Sequence, residues 1–400
     1  MASVRGNPRL LFALVTSVRS VTLITGDISE GAFGNVAGAL ATGFSDLGIK
    51  VEVAFLKGRR HQDDLRWPAE TKLVKLSANR SLFSTWSIGR YLRSRRPDVA
   101  ISLGWLQNVT ASLAQILFRW PGTLVLSEHG HMSYEASVEH GHRFLFRNMP
   151  AAARLLYPKA DGLVAVDEEI LQDLIERVGV NTKRLPTTTI PNAIDLDRVR
   201  RLAAVSSSHP WLGDKSAPLF VSLGRLAPQK NHSLLIDAFE QIEEKHGARL
   251  LLVGDGPLRP DLSERIRRLR LDHAIQIVGH QPNPYPFLAG ADVFVLPSLK
   301  EGWPLSLIEA LACGCACIAT TCSSGPVKIL EEGRSGVLVP PGDRSALTTS
   351  MTDLLLDPAR RASLSALGMT RALSFSPRAI ALQWLDYLTA LESDAGAATG

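Results

Sequence analysis

The segment Ser298-Leu-Lys-Glu-Gly-Trp-Pro-Leu-Ser-Leu-Ile-Glu-Ala-Leu-Ala312 follows a short apolar run, Asp292–Leu296, and passes from a Gly/Pro loop into an apolar helix pattern. Strand, loop and helix in this order form the unit from which parallel α/β sheets are built. Two carboxylates lie eight positions apart, Glu301 in the loop and Glu309 in the helix. An ionised carboxylate among apolar side chains is costly without partners, so Glu309 is expected to bind either a ribose diol or a distant arginine.

The same unit recurs along the chain, which predicts an α/β protein with parallel sheets. The first half contains a helical stretch over 35–47 and the predicted strands Val21–Thr25, Lys50–Leu56, Asp98–Ser102, Thr123–Ser127 and Gly162–Val166. After Ser206-Ser-Ser-His-Pro210 the series restarts with the predicted strands Leu219–Leu223, Arg249–Val253, Ile275–Val278, Asp292–Leu296 and Ala316–Thr320. We therefore expect two doubly wound, Rossmann-like domains, with the ligand beyond the carboxyl ends of the strands in the cleft between them.

The predicted domain limits follow from this pattern. Residues 1–20 are an N-terminal extension, and residues 21–200 and 201–376 are the two Rossmann-like domains. An amphipathic helix begins at 377, is expected to cross back onto the first half, and ends in a flexible tail by residue 400.

Composition is that of a soluble globular enzyme, with 45% apolar and 21% charged residues among 400. The net charge of +5 is compatible with anionic substrates or an anionic membrane surface but requires neither. No stretch reaches the length of about 18 apolar residues that a membrane span needs. Arg5 and Arg9 precede Leu10–Val15, which faintly resembles a signal peptide but lacks a clean cleavage site.

Four cysteines fall within ten residues, at Cys313, Cys315, Cys317 and Cys322. A metal patch would need a histidine or a second cysteine pair at ligand spacing, and none lies nearby. We interpret them as small apolar side chains at a helix end and in a buried strand. Reduced cysteines in a strand suit a cytoplasmic protein, and no metal is expected.

Val221-Ser-Leu-Gly-Arg-Leu-Ala-Pro-Gln-Lys230 places two cations at the end of a predicted strand. Arg225 offers a planar fork and Lys230 a point charge, which together suit a diphosphate. The alternative is that both are solubilising surface cations, for which a loop stiffened by Gly224 and Pro228 is an unusual place.

A helix start is predicted near Gly302 and Pro304, with Pro304 at the first helical position. The free amides of such a start form an anion site, which could meet Arg225 and Lys230 on one diphosphate. The predicted ligand-binding residues of this helix are Gly302, Trp303, Pro304, Leu305 and Glu309.

Three other motifs follow strands and are weaker. Gly254, in Val-Gly-Asp-Gly-Pro257, permits close approach of backbone to a ligand, or simply a turn. Gly31 and Gly34 precede a helix but form no convincing G-x-G-x-x-G, which disfavours a dinucleotide dehydrogenase. His129, in Ser127-Glu-His-Gly130, could donate to a substrate hydroxyl, or could be structural.

Together these motifs resemble the family-4 retaining glycosyltransferases of the GT-B fold. The resemblance covers most of residues 215–345 and rests on the G-R-L-x-x-x-K element at 224–230, V-G-D-G-P at 253–257, E-x7-E at 301–309, Ser324-Gly-Pro-Val-Lys-Ile-Leu330 and Gly336-Val-Leu-Val-Pro340. The first half matches in layout, but Ala32 stands where the family often has a second glycine.

The resemblance implies a nucleotide-sugar donor, uridine-linked by resemblance alone, without metal or cofactor. Arg225 and Lys230 would hold the diphosphate and Glu309 the ribose. Glu301 and His129 would contact the donor sugar. The base would be read by backbone near Val278 and His280. Such enzymes transfer a hexose or N-acetylhexosamine to a glycan or lipid-linked acceptor, and the Ser-Gly-Pro segment is similar to that of bacterial enzymes building surface polysaccharide.

Two alternatives remain at this stage. A nucleotide-sugar epimerase or a phosphorylase would keep the fold, and a non-catalytic partner subunit would keep the cleft. Membrane contact is a separate hypothesis, because a basic helix runs from about Trp86 to Arg96; its cations could equally be a solvated helix end that suits the helix dipole.

Overall fold

The computed structural model describes residues 18–29, 31–58, 66–77, 81–139, 144–214 and 216–397. The chain divides into two compact units, residues 1–195 with 375–400, and residues 196–374. Most of the predicted N-terminal extension, up to residue 17, and the last three residues lie outside the described residues.

The first unit is built on a seven-stranded, wholly parallel sheet of order β3-β2-β1-β4-β5-β6-β7. Its strands are β1 Ser20–Asp27, β2 Lys50–Lys57, β3 Lys72–Lys75, β4 Val99–Leu103, β5 Thr123–Glu128, β6 Gly162–Ala165 and β7 Thr187–Thr189. All five predicted strands are present. The two that the sequence did not predict, β3 and β7, lie at the sheet edges and lack an apolar run.

Helices connect these strands and cover the sheet. They are α1 Ala32–Asp46, α2 Ser81–Arg95, α3 Trp105–Phe118, α4 Met132–Tyr134, α5 Phe144–Arg147, α6 Met149–Leu156 and α7 Glu168–Gln172. Both α4 and α7 continue into a π-helical turn, at Glu135–Glu139 and Asp173–Val178. Helix α1 begins three residues before the predicted start, with Gly31 as its N-cap.

The second unit is built on a six-stranded parallel sheet of order β10-β9-β8-β11-β12-β13. Its strands are β8 Leu219–Leu223, β9 Arg249–Val253, β10 Ile275–Gly279, β11 Val293–Leu296, β12 Ala316–Thr320 and β13 Val337–Val339. Its core is a continuous apolar cluster that includes Phe220, Phe239, Leu250 and Ile318. Two doubly wound parallel sheets confirm the predicted α/β class.

The helices of the second unit alternate with its strands. They are α8 Leu196–Ala203, α9 Pro210–Gly213, α10 His232–His246, α11 Arg259–Arg268, α12 Tyr285–Gly290, α13 Leu305–Ala312, α14 Ser324–Ile329, α15 Arg344–Leu356 and α16 Pro358–Ala372. None of the helices within the described ranges is long and apolar enough to cross a membrane.

The division between the units falls at 195/196, inside the range assigned from sequence to the first domain. The predicted limit at 200/201 would cut through α8. That helix is tied to the second unit, because Arg198 donates to the Tyr285 hydroxyl at 3.4 Å and Asn283 Nδ2 donates to the Leu202 carbonyl at 2.8 Å.

The C-terminal helix, α17 Pro377–Ala397, belongs to the first unit and packs on α1. Helix α1 approaches closely at Gly43, where an added Cβ would lie 2.1 Å from the Pro377 carbonyl oxygen and 2.8 Å from Ala381 Cβ. Farther along α17, the Tyr387 hydroxyl accepts from the Leu163 amide at 3.1 Å and donates to the Pro186 carbonyl at 2.7 Å.

We expect Gly43→Ala to destabilise the first unit by about 1–3 kcal/mol, because the new methyl meets backbone that has no room to yield. The melting temperature should fall by roughly 2–10 °C, measured by differential scanning calorimetry. Gly213→Ala is the control, because an added Cβ there meets no atom within 4 Å. Equal melting temperatures for the two variants would contradict the close packing of α17 on α1.

Candidate functional site

The loops that follow β8 and β11 leave the second sheet side by side. The chain runs from β8 outward to β9 and β10, then returns to β11 on the other side of β8. The strand order therefore reverses between β8 and β11, which is where open α/β sheets bind ligands at their carboxyl edge. The two loops are joined directly, since the Leu299 amide donates to the Gln229 carbonyl at 2.8 Å.

A salt bridge between these loops brings two of the predicted residues together. Lys230 Nζ donates to Glu301 Oε1 at 2.6 Å, and the Ser298 hydroxyl donates to the same oxygen at 2.6 Å. Both ends are sheltered, with side-chain exposures of 19% for Lys230 and 9% for Glu301. Thr320, at the end of β12, anchors the loop by donating to the Ser298 carbonyl at 2.5 Å.

Arg225 lies in the β8 loop that also carries Lys230, and its side chain is exposed. The loop is held to the one after β9, because the Leu226 amide donates to the Asp255 carbonyl at 3.0 Å. Asp255 is itself fixed by Arg259, whose Nη1 donates to Oδ2 at 2.6 Å. The cation therefore projects from an anchored loop.

Glycines let the backbone of neighbouring loops touch. Gly254 has φ +142°, and an added Cβ would lie 2.0 Å from the Gly224 carbonyl oxygen. Gly325, in α14, stands against the loop after β11, where its Cβ would lie 2.0 Å from the Gly302 carbonyl oxygen. The glycines of these motifs are thus needed for packing between loops, whatever else they contact.

The start of α13 differs by one position from the predicted one. Pro304 is the N-cap, with φ −70° and ψ 101°, and the helix begins at Leu305. Trp303 and Pro304 are buried, and Leu305 is half-buried. The first amides of the helix have no carbonyl within the helix to bond, so they form a positive helix end beside the Lys230 loop.

Glu309 lies about one turn into α13 and is 8% exposed. Among the described residues it accepts a single hydrogen bond, from the Tyr285 hydroxyl to Oε1 at 3.1 Å. Arg198 lies over the Tyr285 ring, 5.9 Å from its centroid. Burial raises the pKa of Glu309, and the Tyr285 hydrogen bond and the Arg198 charge oppose that shift.

Of the two partners that the sequence suggested for Glu309, the structure places an arginine nearby. Its Oε2 has no hydrogen-bond partner among the described residues. The carboxylate is also held in one orientation by Tyr285, whose own pKa is raised by burial.

The predicted base-binding segment lies at the edge strand, two strands from β8. Val278 is the penultimate residue of β10 and His280 follows it, exposed. Gly279 between them accepts from the Gly254 amide at 2.9 Å, so this segment adjoins the loop after β9. The Val278 carbonyl accepts from Gln281 Nε2 at 3.4 Å.

In the first unit, the glycine loop is fixed by Arg66. Arg66 Nη1 donates to the Ser29 carbonyl at 2.8 Å and lies 3.0 Å from where a Cβ on Gly34 would be. Gly31 has φ +147°, and an added Cβ there would meet nothing within 4 Å. Gly34 is therefore a packing requirement, whereas the space beside Gly31 is open.

His129 follows β5 and contacts residues of its own strand and of α1. Its Nε2 is 3.1 Å from the Ser127 hydroxyl, and its ring packs edge-on against Phe33, with centroids 5.1 Å apart. Burial lowers the pKa of His129 to about 4, opposed by a hydrogen bond with Asn192. The imidazole is thus neutral at physiological pH, and can donate or accept one hydrogen bond without carrying charge.

The residue before it, Glu128, forms a buried network that sequence reasoning passed over. Glu128 Oε2 accepts from the Tyr157 hydroxyl at 2.7 Å and from Asn108 Nδ2 at 3.4 Å, and Oε1 accepts from the His129 amide at 3.2 Å. Burial raises the pKa of Glu128 to about 7. Its contact with the His129 amide makes Glu128 a support for the backbone of that loop.

Some contributors carried little signal in the sequence. Ser298 lay in the quoted segment but has an ordinary residue type, and Tyr285 and Arg198 are 24 and 111 positions before Glu309. Only the fold brings them to Glu309. Glu128 did carry a local signal in the sequence, because it is a carboxylate at the end of an apolar strand and directly precedes His129.

The four cysteines are reduced, and the Cys315 thiol donates to the Leu288 carbonyl at 2.9 Å. Burial raises the pKa of the Cys315 thiol, as expected for a thiol packed in a core. Within the described ranges, no group of three or more His, Cys, Asp or Glu side chains is arranged to hold a metal ion.

Two protein-family models match successive parts of the chain. The model described as glycosyltransferase family 4 matches residues 34–198, and the one described as glycosyl transferases group 1 matches residues 208–369.

Two curated relatives illustrate the similarity. The chain is 32% identical, over 58% of its length, to N-acetylgalactosamine-N,N'-diacetylbacillosaminyl-diphospho-undecaprenol 4-alpha-N-acetylgalactosaminyltransferase of Campylobacter jejuni, and spans 61% of that protein, less than two thirds. It is 26% identical, over 92% of its length, to the amylovoran biosynthesis glycosyltransferase AmsD of Erwinia amylovora, of which it covers 98%.

Among solved structures, Anabaena HepE in complex with UDP and glucose superposes with a TM-score of 0.75 at 19% identity, covering 93% of this chain and 100% of that one. At this identity the likeness concerns the fold, which is GT-B.

We expect His129 to stay neutral across the physiological range. Its ring resonance should not move between about pH 8 and pH 5 in an NMR titration, although a histidine with an ordinary pKa near 6.5 titrates there. In urea-unfolded protein the same resonance should titrate near pH 6.5. Because the unfolded state takes up this proton first, His129 lowers stability as pH falls from 6.5 towards 4.

His129→Gln assigns the resonance and removes this contribution to the pH dependence of unfolding. A native-state titration of His129 centred near pH 6.5 would show that the ring is solvated, contrary to the structure.

Proposed function

Because the chain belongs to the group 1 glycosyltransferases of family 4, we propose that it transfers a hexose or N-acetylhexosamine from a nucleotide diphosphate sugar to a glycan or lipid-linked acceptor, with retention of anomeric configuration. The observation that carries the proposal is the Lys230–Glu301 pair at the strand-order reversal of the second unit, beside the start of α13. This place combines a cation, a helix end and two carboxylates, each of which has one oxygen without a partner among the described residues. These groups suit a pyrophosphate flanked by two sugars.

The relatives support the donor and acceptor classes. HepE is described in complex with UDP, with UDP and glucose, and with UDP-glucose. The Campylobacter relative is named for a diphospho-undecaprenol acceptor, and AmsD for amylovoran biosynthesis. We therefore place the reaction in polysaccharide or glycoconjugate biosynthesis, with a uridine-linked donor as the first candidate.

The pyrophosphate is assigned to Arg225, Lys230 and the first amides of α13. Lys230 already has a carboxylate partner, so the donor's phosphate oxygens would share the ammonium with Glu301. An ammonium has three donors, and Glu301 uses one of them. Arg225, exposed on the same loop, adds a second permanent cation from an anchored backbone.

The ribose is assigned to Glu309. Its Oε1 is held by Tyr285, and Oε2 is left to accept from a ribose hydroxyl. Burial raises the pKa of the Glu309 carboxyl. Hydrogen bonds donated by ribose hydroxyls would favour the ionised carboxylate and so offset part of its desolvation cost.

Glu301 and His129 are assigned to the transferred sugar. Glu301 Oε1 is occupied by Lys230 and Ser298, and Oε2 remains to accept from a sugar hydroxyl. His129, neutral and fixed by Phe33, would contribute a hydrogen bond without adding charge.

Bond changes in the proposed step are as follows. The bond between C1 of the sugar and the phosphate oxygen breaks, and its electron pair goes to the diphosphate. The acceptor hydroxyl oxygen forms a new bond to C1 from the same face, and its proton passes to the departing phosphate oxygen. Lys230, Arg225 and the helix end stabilise the charge that develops on the diphosphate.

We expect Lys230→Ala and Arg225→Ala each to lower kcat by about 100-fold, as the loss of one electrostatic donor typically does. A thermal-shift screen of nucleotide diphosphate sugars first identifies the donor, because a cognate ligand stabilises the folded state. Turnover is then measured as release of the nucleoside diphosphate. Lys245→Ala, an exposed lysine in the last turn of α10, is the control. Parental kcat in both site variants would refute the diphosphate assignment.

Glu309→Ala should weaken nucleoside diphosphate binding by about 10-fold or more, since a hydrogen bond to a charged group contributes roughly 1.5–3 kcal/mol. Glu309→Gln, which keeps an acceptor oxygen, should lose less, and Tyr285→Phe should lose least. Calorimetric titration gives the three affinities. Glu332→Gln, at the exposed residue of the turn Glu331–Gly333, controls for charge. A folded Glu309→Ala variant with parental affinity would rule out the ribose contact.

A further inference from the structure

Helices α2 and α3 of the first unit present exposed apolar side chains next to exposed arginines. On α2, Trp86 is 61% exposed, and on α3, Leu117 is 56% and Ile116 42% exposed. Arg90, Arg93 and Arg119 are also exposed. We call these six residues the basic-aromatic surface.

Contacts between α2 and α3 hold the basic-aromatic surface in place. The Trp86 and Phe118 rings meet edge to face, with centroids 5.1 Å apart. Phe118 lies over Gly89, where an added Cβ would be 2.2 Å from the ring. Arg93 Nη1 approaches the Phe118 carbonyl at 3.5 Å, at the end of α3. Trp86 is thus held outward by Phe118 while most of its ring stays in solvent.

The spacing places these groups on one face. Trp86, Arg90 and Arg93 are four and seven positions apart, so they follow one another along one side of α2. The end of α3 adds Ile116, Leu117 and Arg119 next to Phe118. Favourable interaction with the helix dipole could explain Arg93 and Arg119, at the ends of α2 and α3, but not an exposed tryptophan beside two exposed aliphatic side chains.

No carboxylate balances the arginines. Helices α2 and α3 contain no Asp or Glu. The intervening Asp98 is occupied, since Oδ2 accepts from the Arg19 amide at 2.9 Å and the Ser20 amide at 2.8 Å. Within the described part of the chain, Arg90, Arg93 and Arg119 form no salt bridge, whereas the neighbouring Arg95 lies 3.5 Å from Glu52.

Helix α11 of the second unit is also rich in arginine and can be compared with the basic-aromatic surface. Three of its four arginines have acidic partners: Arg259 lies 2.6 Å from Asp255, Arg267 lies 2.9 Å from Glu264, and Arg265 bonds Asp237. The basic-aromatic surface differs both in its unbalanced charge and in its exposed tryptophan.

We propose that the basic-aromatic surface binds the headgroup region of an anionic lipid bilayer. Tryptophan side chains are enriched at the depth where lipid headgroups meet acyl chains, and the arginines around Trp86 can bind lipid phosphates. Exposed apolar side chains on two packed helices suit shallow insertion into a bilayer, whereas the anchor residue of a protein partner would need a deep pocket. The proposal rests on this surface and stands without the proposed glycosyl transfer.

Sedimentation with vesicles tests the proposal on the full chain. The parent protein should bind vesicles of phosphatidylcholine mixed with phosphatidylglycerol, and not vesicles of phosphatidylcholine alone. Arg90→Glu with Arg93→Glu should lower the partition coefficient by at least about 25-fold, since each lost arginine contributes about fivefold and reversal adds repulsion. Trp86→Ser should lower it by about 10-fold, because an exposed ring loses its apolar contact with the bilayer. Added salt should weaken binding of the parent.

The matched controls are Arg267→Glu with Arg268→Glu on α11, and Leu356→Ser, which removes an apolar side chain 62% exposed in the second unit. Both should bind like the parent, and all variants should keep the parental melting temperature and donor turnover. Failure of the parent to bind phosphatidylglycerol vesicles overturns the proposal. An equal loss in the α11 variant also overturns it, because that loss would follow net charge alone. Retention of binding by the Arg90/Arg93 variant would place the contact on another surface.

Discussion

The ion pair between Lys230 and Glu301 joins the two loops on which the candidate site depends. Each loop leaves the sheet from a different strand, and the strands are neighbours only because the order reverses between β8 and β11. The 2.6 Å contact, reinforced by Ser298, therefore fixes the geometry of a place that the topology creates. A pair so sheltered is a poor source of stability, because the desolvation of two charges offsets most of their attraction. Its value lies in orientation: the ammonium is held at the carboxyl edge of the sheet, next to the start of α13.

Much of the architecture was predictable, because buried parallel strands are continuous apolar runs that a sequence displays directly. The exceptions are instructive. Strands β3 (Lys-Leu-Val-Lys), β7 (three threonines) and β13 (Val-Leu-Val) lie at sheet edges and are only three or four residues long, so none has an apolar run long enough to mark a strand. The structure divides the chain at 195/196, a few residues before the limit expected from sequence. Helix α8 belongs to the second unit because Arg198 and Leu202 form hydrogen bonds with residues more than eighty positions away. The local pattern of apolar and polar residues does not predict hydrogen bonds between residues so far apart in sequence.

The site was predictable in its residues and less so in its contacts. Lys230 and Glu301 were selected for separate roles, whereas the structure joins them. The one-position error at Pro304 has a simple cause: proline is suited to a first helical position, but its extended ψ of 101° makes it the residue before the helix. Tyr285 was missed since nothing near it in sequence indicates a carboxylate partner. The glycines of the strand-end motifs were selected for ligand approach, and the structure gives Gly254 and Gly325 a packing reason that holds with or without a ligand.

Three buried carboxylates, Glu128, Glu301 and Glu309, differ in how many of their oxygens have hydrogen-bond partners. Glu128 has both oxygens engaged, by Tyr157 and Asn108 on one side and by the His129 amide on the other, and with no cation among the groups that bond it, its pKa rises to about 7. Glu301 and Glu309 each have one oxygen engaged and a cation nearby, Lys230 and Arg198. A carboxylate with both oxygens engaged can only support its surroundings, as Glu128 supports the backbone of His129. A carboxylate with one oxygen still without a partner among the described residues can accept a hydrogen bond from a ligand, and that difference separates Glu301 and Glu309 from Glu128.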